Sequence, residues 1–229
     1  MTPPLPAITV VTEDGRQLHP APPRDEAPGV EPLVLTAPTS DFEERGRDYY
    51  PTPAWVTEAL LESDVPPPVG LIIEPAAGDG AILRVLVAAK RYKQLQAIEL
   101  REEERGHLIA TGADVLIDDW LRASRDLDWM TSVVDKQRFS VVTNPPFSIA
   151  IPFATACLSV GACYVALLLP VTCLAGAAAS WGPFWAAHPP TALRLVRRRP
   201  RFNGNGTDRV GVFWAIWRAG RPVLDMVPV

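Results

Sequence analysis

Short apolar runs alternate with segments of helical period through the middle of the chain. The runs predict strands at Gly70–Glu74, Gln94–Glu99, Asp114–Ile117, Ser140–Thr143 and Tyr164–Leu169. The segments between them predict helices at Ala81–Lys90, Glu102–Ala110, Ser148–Ser159 and Thr172–Ala187. Near the end, Ala192–Arg197 and Val210–Trp217 read as two strands with no helix between them. Repeated β–α units specify a doubly wound, mostly parallel sheet, and a closing β–β pair adds an antiparallel strand at its edge. Upstream, Thr52-Pro53 before Ala54–Leu61 reads as N-cap, first-turn proline and a short amphipathic helix. The Pro66-Pro67-Pro68 run ends that helix.

Composition changes this picture at both ends. Residues 1–38 hold nine of the 25 prolines without a clear period, so residues 1–45 are expected to form an extended or disordered arm ahead of one domain over 46–229. Residues 1–45 carry eight acids against three arginines, whereas residues 190–229 carry eight arginines against two aspartates. A basic end on a chain of net charge −4 points to a local anion site, for which nucleic acid is the commonest partner.

Residues 139–193 contain no Asp, Glu, Lys or Arg, and Val160–Ala179 has the apolarity of a membrane span. Pro146, Pro152, Pro170 and Pro183 cut the run into pieces of helix and strand length, so a buried helix–strand–helix is expected instead, with no membrane partner. The same run offers a face for a homodimer or a partner subunit. The start of the chain lacks the basic and apolar stretches of a signal peptide, and the odd set Cys157, Cys163 and Cys173 suits free thiols; both fit a cytoplasmic protein. His19, His107 and His188 have no metal-ligand spacing, and no metal is expected.

Candidate chemistry gathers at the carboxyl ends of the expected strands. The first ends Glu74-Pro75-Ala76-Ala77-Gly78-Asp79-Gly80, whose small residues allow a ligand close to the backbone beside a helix N-terminus. A strict dinucleotide fingerprint is excluded, since Leu83 stands where its third glycine would be. Glu74 would repel pyrophosphate but attract the ammonium and sulfonium of S-adenosylmethionine. Glu99, closing the second strand, can accept two bonds from a ribose diol. After the third strand, Asp119 can bond an adenine amino group and Trp120 can stack on that ring, although core filling suits Trp120 almost as well.

The fourth strand runs directly into Asn144-Pro145-Pro146-Phe147. An aromatic amine is a poor nucleophile because its lone pair is delocalised. The Asn144 side-chain carbonyl and the Pro145 backbone carbonyl can both accept its N–H bonds and favour tetrahedral character. Pro145 and Pro146 stiffen the loop, and Phe147 can stack on the base.

With these residues in view, the chain from about Tyr49 to Arg218 resembles the amino-methylating DNA methyltransferases, nearest to small phage- and plasmid-borne N6-adenine enzymes. The resemblance implies a Rossmann-like class I methyltransferase fold, S-adenosylmethionine as cofactor and a flipped adenine of DNA as substrate. Tyr50, Thr52 and Pro53 resemble the motif that contacts the methionine part. Glu74, Ala76, Gly78 and Gly80 resemble the methionine-binding turn, Glu99 the ribose acid, and Asp119 with Trp120 the adenine pocket. Asn144 through Phe147 resemble the catalytic (Asn/Asp/Ser)-Pro-Pro-(Tyr/Phe/Trp) motif. The motif order is similar to the family's gamma arrangement. Arg199, Arg201 and Phe202 resemble the late loop that closes the base pocket, with Phe202 as second aromatic face and the arginines on phosphates. The family's separate target-recognition domain has no counterpart in the eleven residues after Arg218.

The same loop serves RNA base methyltransferases and glutamine methyltransferases. The latter typically carry Tyr where this chain has Phe147, together with an N-terminal helical domain. RNA remains an alternative polymer, and a non-catalytic binding module built on the same fold is the alternative outside enzymes.

Overall fold

The computed structural model describes residues 50–126, 128, 129, 132, 138–174, 181–200, 202, 211–221 and 224, with the backbone of Val10–Val11 and Gln17–Leu18. The chain divides into two compact units, Met1–Asp41 and Phe42–Val229. In the first, Val10–Val11 pairs antiparallel with Gln17–Leu18. The expected arm otherwise lies outside the described residues. Reading that stretch for proline alone passed over Asp14-Gly15, a reversal signal between two β-formers.

In the second unit every expected apolar run becomes a strand. These are β1 Leu71–Glu74, β2 Leu95–Glu99, β3 Asp114–Ile117, β4 Phe139–Thr143, β5 Tyr164–Pro170, β6 Ala192–Leu195 and β7 Val212–Arg218. They form one sheet in the order β3-β2-β1-β4-β5-β7-β6. The first five are parallel, and β7 runs antiparallel to both β5 and β6. The closing β–β pair forms one edge of the sheet, as expected, with the antiparallel C-terminal strand β7 one place inside β6. β7 is buried from Val212 through Ile216, while β6 is buried only at Ala192, so the more apolar strand takes the covered position.

The helices are α1 Ala54–Leu61, α2 Ala81–Ala88, α3 Arg105–Ile109, α4 Trp120–Ala123, α5 Ala150–Ser159 and α6 Trp181–Ala187. The 3₁₀ turns Glu102–Glu104 and Phe147–Ile149 lead into α3 and α5, and Val171–Cys173 follows β5. Residues 175–180 of the expected Thr172–Ala187 helix lie outside the described residues. Thr52 does not cap α1. Pro53, at φ −57 and ψ 137, holds the cap position with extended backbone, so the helix begins one residue later than expected. The unexpected α4 is capped by Asp119, whose Oδ1 accepts from the Leu121 amide at 3.0 Å.

Alternate residues of the central strands divide between two apolar layers. Ile73, Val141, Val165, Leu167 and Phe213 pack with Phe153 of α5 and Trp185 of α6. Ile72, Val142, Ala166, Leu168 and Trp214 pack with Val56 and Leu60 of α1 and Leu83 and Leu86 of α2. Covering on both faces explains the uncharged run. Its strands β4 and β5 are buried along their whole length, and Leu174 is its one exposed large hydrophobic residue among those described. Among the described residues no helix is long and apolar enough to cross a membrane. Cys157, Cys163 and Cys173 are free thiols, two buried and Cys163 half-buried, its Sγ donating to the Phe139 carbonyl at 3.0 Å.

Gly70 opens β1 at φ +72, and a Cβ there would sit 1.9 Å from the Arg138 carbonyl oxygen that accepts the Leu71 amide. Two backbones meet, and neither can move without parting β1 from β4. Gly70→Ala should therefore destabilise the domain by about 3 kcal/mol. Denaturant titration followed by circular dichroism measures this, and a loss within about 0.5 kcal/mol would contradict the packing described.

Candidate active site

A doubly wound sheet places its ligand crevice where strand order reverses, outside the strands' carboxyl ends. Here the reversal falls between β1 and β4, and one cavity opens above it. Of the residues expected at the site, Tyr50, Thr52, Glu74, Ala76, Gly78, Glu99, Asp119, Trp120, Asn144, Pro145 and Pro146 all line that cavity. Pro53, Gly80, Phe147, Phe202 and Arg199 are not part of that lining. Arg201 lies outside the described residues.

The turn after β1 is shaped by Gly78 at φ 57 and Gly80 at φ 82, both left-handed. It is tied to β2 by Glu99. One Glu99 oxygen accepts the Gly78 amide at 2.6 Å, and the other accepts the amide and Nε of Arg101, each at 3.0 Å. Asp79 secures the start of α2, accepting from the Ala81 amide at 3.1 Å and pairing with Arg84 at 2.8 Å.

Glu74 is the electrostatic outlier. It is 2 % exposed, and its Oε2 has no hydrogen-bond partner. Burial, with the negative charges of Glu99 and Asp79 close by, holds its carboxyl well above the usual carboxylate range. The Leu83 amide and Arg84 oppose the shift without cancelling it. A carboxyl in this position favours its neutral form, and a cation placed beside it would stabilise the ionised one.

Across the cavity, Asn144 is held from behind. Its Nδ2 donates to the Tyr50 backbone carbonyl at 3.1 Å, while its Oδ1 is buried without a partner. The amide is thereby oriented, with its acceptor unused. Above it three rings meet. Tyr50 stacks on Phe147 at 5.8 Å between centroids and 21° between planes. Phe202 stands edge-on to both, at 6.0 Å and 68° from Tyr50 and at 6.4 Å and 88° from Phe147. Sequence reasoning assigned the second aromatic face to Phe202; the ring lying parallel to Phe147 is that of Tyr50.

Trp120 is 2 % exposed and packs against Trp129 and Phe153, so its ring belongs to the core while its edge reaches the cavity. Asp119 combines its place in the lining with the α4 cap. Its neighbour Asp118 also lines the cavity, accepting from the Asp119 amide at 2.6 Å and pairing with Arg122 at 2.6 Å. Arg101, Asp118, Ile149 and Phe153 were not anticipated. Two signals were available. Arg101 follows Glu99 at the spacing that returns a side chain to one side of an extended strand. Ile149 and Phe153 share the i, i+4 spacing of the helix expected after the Asn144–Phe147 loop.

No protein-family profile matches the chain, and no curated protein matches it. Solved structures do. A predicted O-methyltransferase from Agrobacterium tumefaciens is 15% identical, with a TM-score of 0.51 over 76% of this chain and 84% of that one. A putative RNA methyltransferase from Pyrococcus horikoshii is 17% identical, with a TM-score of 0.43 over 72% of this chain and 81% of that one. A 16S rRNA N2 methyltransferase from Thermus thermophilus is 14% identical, with a TM-score of 0.45 over 76% of this chain and 41% of that one. Strand order, the inserted antiparallel strand and the superposition agree: the chain has the Rossmann-like class I methyltransferase fold.

Proposed function

We propose that the domain over 46–229 transfers a methyl group from S-adenosylmethionine to the exocyclic amine of a nucleobase in a nucleic acid. The observation that carries this reading is a pair of buried acceptors without a partner, Glu74 Oε2 and Asn144 Oδ1, on two residues that line one cavity. One lacks a cation and the other lacks an N–H donor. A positively charged cofactor and an amine substrate supply what each is missing.

When bound, S-adenosylmethionine supplies an electrophilic methyl group that carries its own leaving group. Glu74 takes the charge of its methionine part, beside the glycine turn and Thr52. Glu99 offers its remaining lone pairs to the ribose, already fixed in place by Gly78 and Arg101. Asp118 and Asp119 stand at the adenine end. Asn144 accepts one N–H of the target amine, and the Pro145 carbonyl accepts the other. A neutral amide holds the proton by a hydrogen bond without removing it, so the amine's lone pair is turned toward the methyl group before the nitrogen is alkylated. Phe147 and Tyr50 provide apolar faces for the ring bearing that amine, which enters once the Tyr50 ring turns away from its 5.8 Å stacking distance, and Phe202 closes its edge. Arg199 is exposed on the segment leading to Phe202, placed for phosphate.

The resemblance to N6-adenine enzymes favours adenine in DNA. The pocket itself selects an aromatic amine on a flat ring, a property that RNA adenine and guanine share. The two polymers are separated by incubating each with labelled cofactor and digesting to nucleosides. We expect label in an N-methylated base of one polymer. Label in neither, with the cofactor bound, would refute the nucleobase reading.

Asn144→Ala should lower transfer by about 10²–10³-fold or more while changing cofactor affinity little, because it removes only the amine's acceptor. Parallel loss of both would place Asn144 in the cofactor site instead.

Glu74 yields a test with a sign. Its folded pKa is raised, so it contributes stability at low pH that is lost as pH rises through the folded value. Glu74→Gln removes that loss, and should raise the melting temperature above the titration while weakening cofactor binding at least about tenfold. In the native protein a cationic ligand pairs with the ionised carboxylate, so affinity should fall as pH is lowered through the same range. Calorimetric titration across pH reads both effects, and a variant that binds as tightly as the native protein would remove Glu74 from the site.

A further inference from the structure

Two segments distant in sequence run antiparallel past one another at the edge of the aromatic cluster. Asp64 pairs with Arg194 at 2.6 Å, the Arg198 guanidinium lies 5.1 Å from the centre of the Trp55 ring, and Phe202 meets Tyr50 at 6.0 Å. The later segment is pinned from below. Val196, Pro200 and Phe202 are buried, and the Val196 amide donates to the Val212 carbonyl at 3.0 Å. Between these anchors Arg197, Arg198 and Arg199 are all exposed. Arg194 is neutralised by Asp64, whereas none of these three has a carboxylate partner among the described residues. Trp55 is half-buried, so its ring keeps a surface to offer.

A tryptophan and a guanidinium stacked on a rigid ledge, with free cations on either side, form a platform for a flat ring attached to a phosphate. The platform lies beside the rings that would hold the target base, not among them. Trp55 is five residues from Tyr50, a reach of at most roughly 17 Å. We propose that Trp55 and Arg198 form a second subsite, which stacks an unpaired base flanking the target nucleotide while Arg197 and Arg199 hold the adjoining phosphates. The proposal rests on the nucleobase reading above and narrows it. A base within a duplex has both faces covered by its neighbours, so the subsite selects single-stranded stretches of the substrate.

Fluorescence anisotropy with an oligodeoxyadenosine dodecamer, its duplex with oligodeoxythymidine, and an oligoadenosine dodecamer tests this. The native protein should bind a single strand more tightly than the duplex. Trp55→Ala should weaken single-strand binding about tenfold and leave duplex binding unchanged, Trp55→Phe should restore much of the loss, and Arg198→Ala should weaken single-strand binding and flatten its salt dependence. Native-like single-strand affinity in Trp55→Ala would overturn the subsite and leave the nucleobase reading standing. Failure of the native protein to bind any of the three would overturn the nucleobase reading itself. Should Trp55→Ala not fold, photo-cross-linking of the native protein to a deoxyadenosine dodecamer bearing one 5-bromodeoxyuridine decides. Adducts on the peptide containing Trp55 support the subsite, and adducts confined to other peptides refute it.

Discussion

The rest of the site depends on a carboxyl group that the fold buries and does not satisfy. Glu74 sits at the end of β1, where the sheet changes direction and leaves a crevice, with Glu99 and Asp79 adding negative charge beside it. A side chain chosen for stability alone would be apolar here, like Ile72 and Ile73 before it. The domain carries this cost in one place, and its neighbours keep it from being relieved internally. Arg101 is held by Glu99 and Glu104, and Arg84 by Asp79, so each nearby guanidinium is committed elsewhere. A cationic ligand in the crevice would stabilise the ionised form that burial disfavours.

Asn144 shows the same logic in neutral form. Its Nδ2 donates to the Tyr50 carbonyl, and that bond leaves Oδ1 buried with nothing to accept. Tyr50 in turn precedes α1, which is fastened to the sheet by the buried indole N–H of Trp214 donating to the Val56 carbonyl at 3.0 Å. The Asn144 amide is thus positioned by β4 and by the segment before α1, which β7 in turn holds. Rigidity of this kind suits a reaction in which the protein contributes orientation more than chemistry.

Much of the fold was legible because the strands are buried on both faces and read as unbroken apolar runs. Expected and observed strand boundaries in the second unit differ by at most two residues where both ends are described. Two errors have physical causes. Thr52-Pro53 carried a capping signal, but the side chain of Thr52 is turned into the cavity and the extended backbone of Pro53 delays the helix. Asp119 was read for ligand chemistry alone, although an acid before Trp120-Leu121 is also a helix cap, and α4 was missed for that reason. Within the site, residues inside a motif were found, whereas Asp118 and Arg101 beside one and Phe153 beyond one were not. Phe153 comes back through helical spacing, and the parallel packing of Tyr50 on Phe147 spans 97 positions that no local pattern relates.

That long-range pairing also changes what the aromatic cluster can do. A base sandwiched between two rings needs about 7 Å between their planes, two van der Waals contacts of about 3.5 Å. Tyr50 and Phe147 have centroids 5.8 Å apart, so a base cannot enter between them as they stand. The Tyr50 backbone is anchored through Asn144, which confines the adjustment to rotation of its side chain. In the proposed reading Tyr50 therefore holds the Asn144 amide with its carbonyl and would cover the base face with its ring. Rotation about the side-chain bonds would leave that carbonyl in place, so in the proposed reading a base could be admitted without disturbing the Asn144 acceptor.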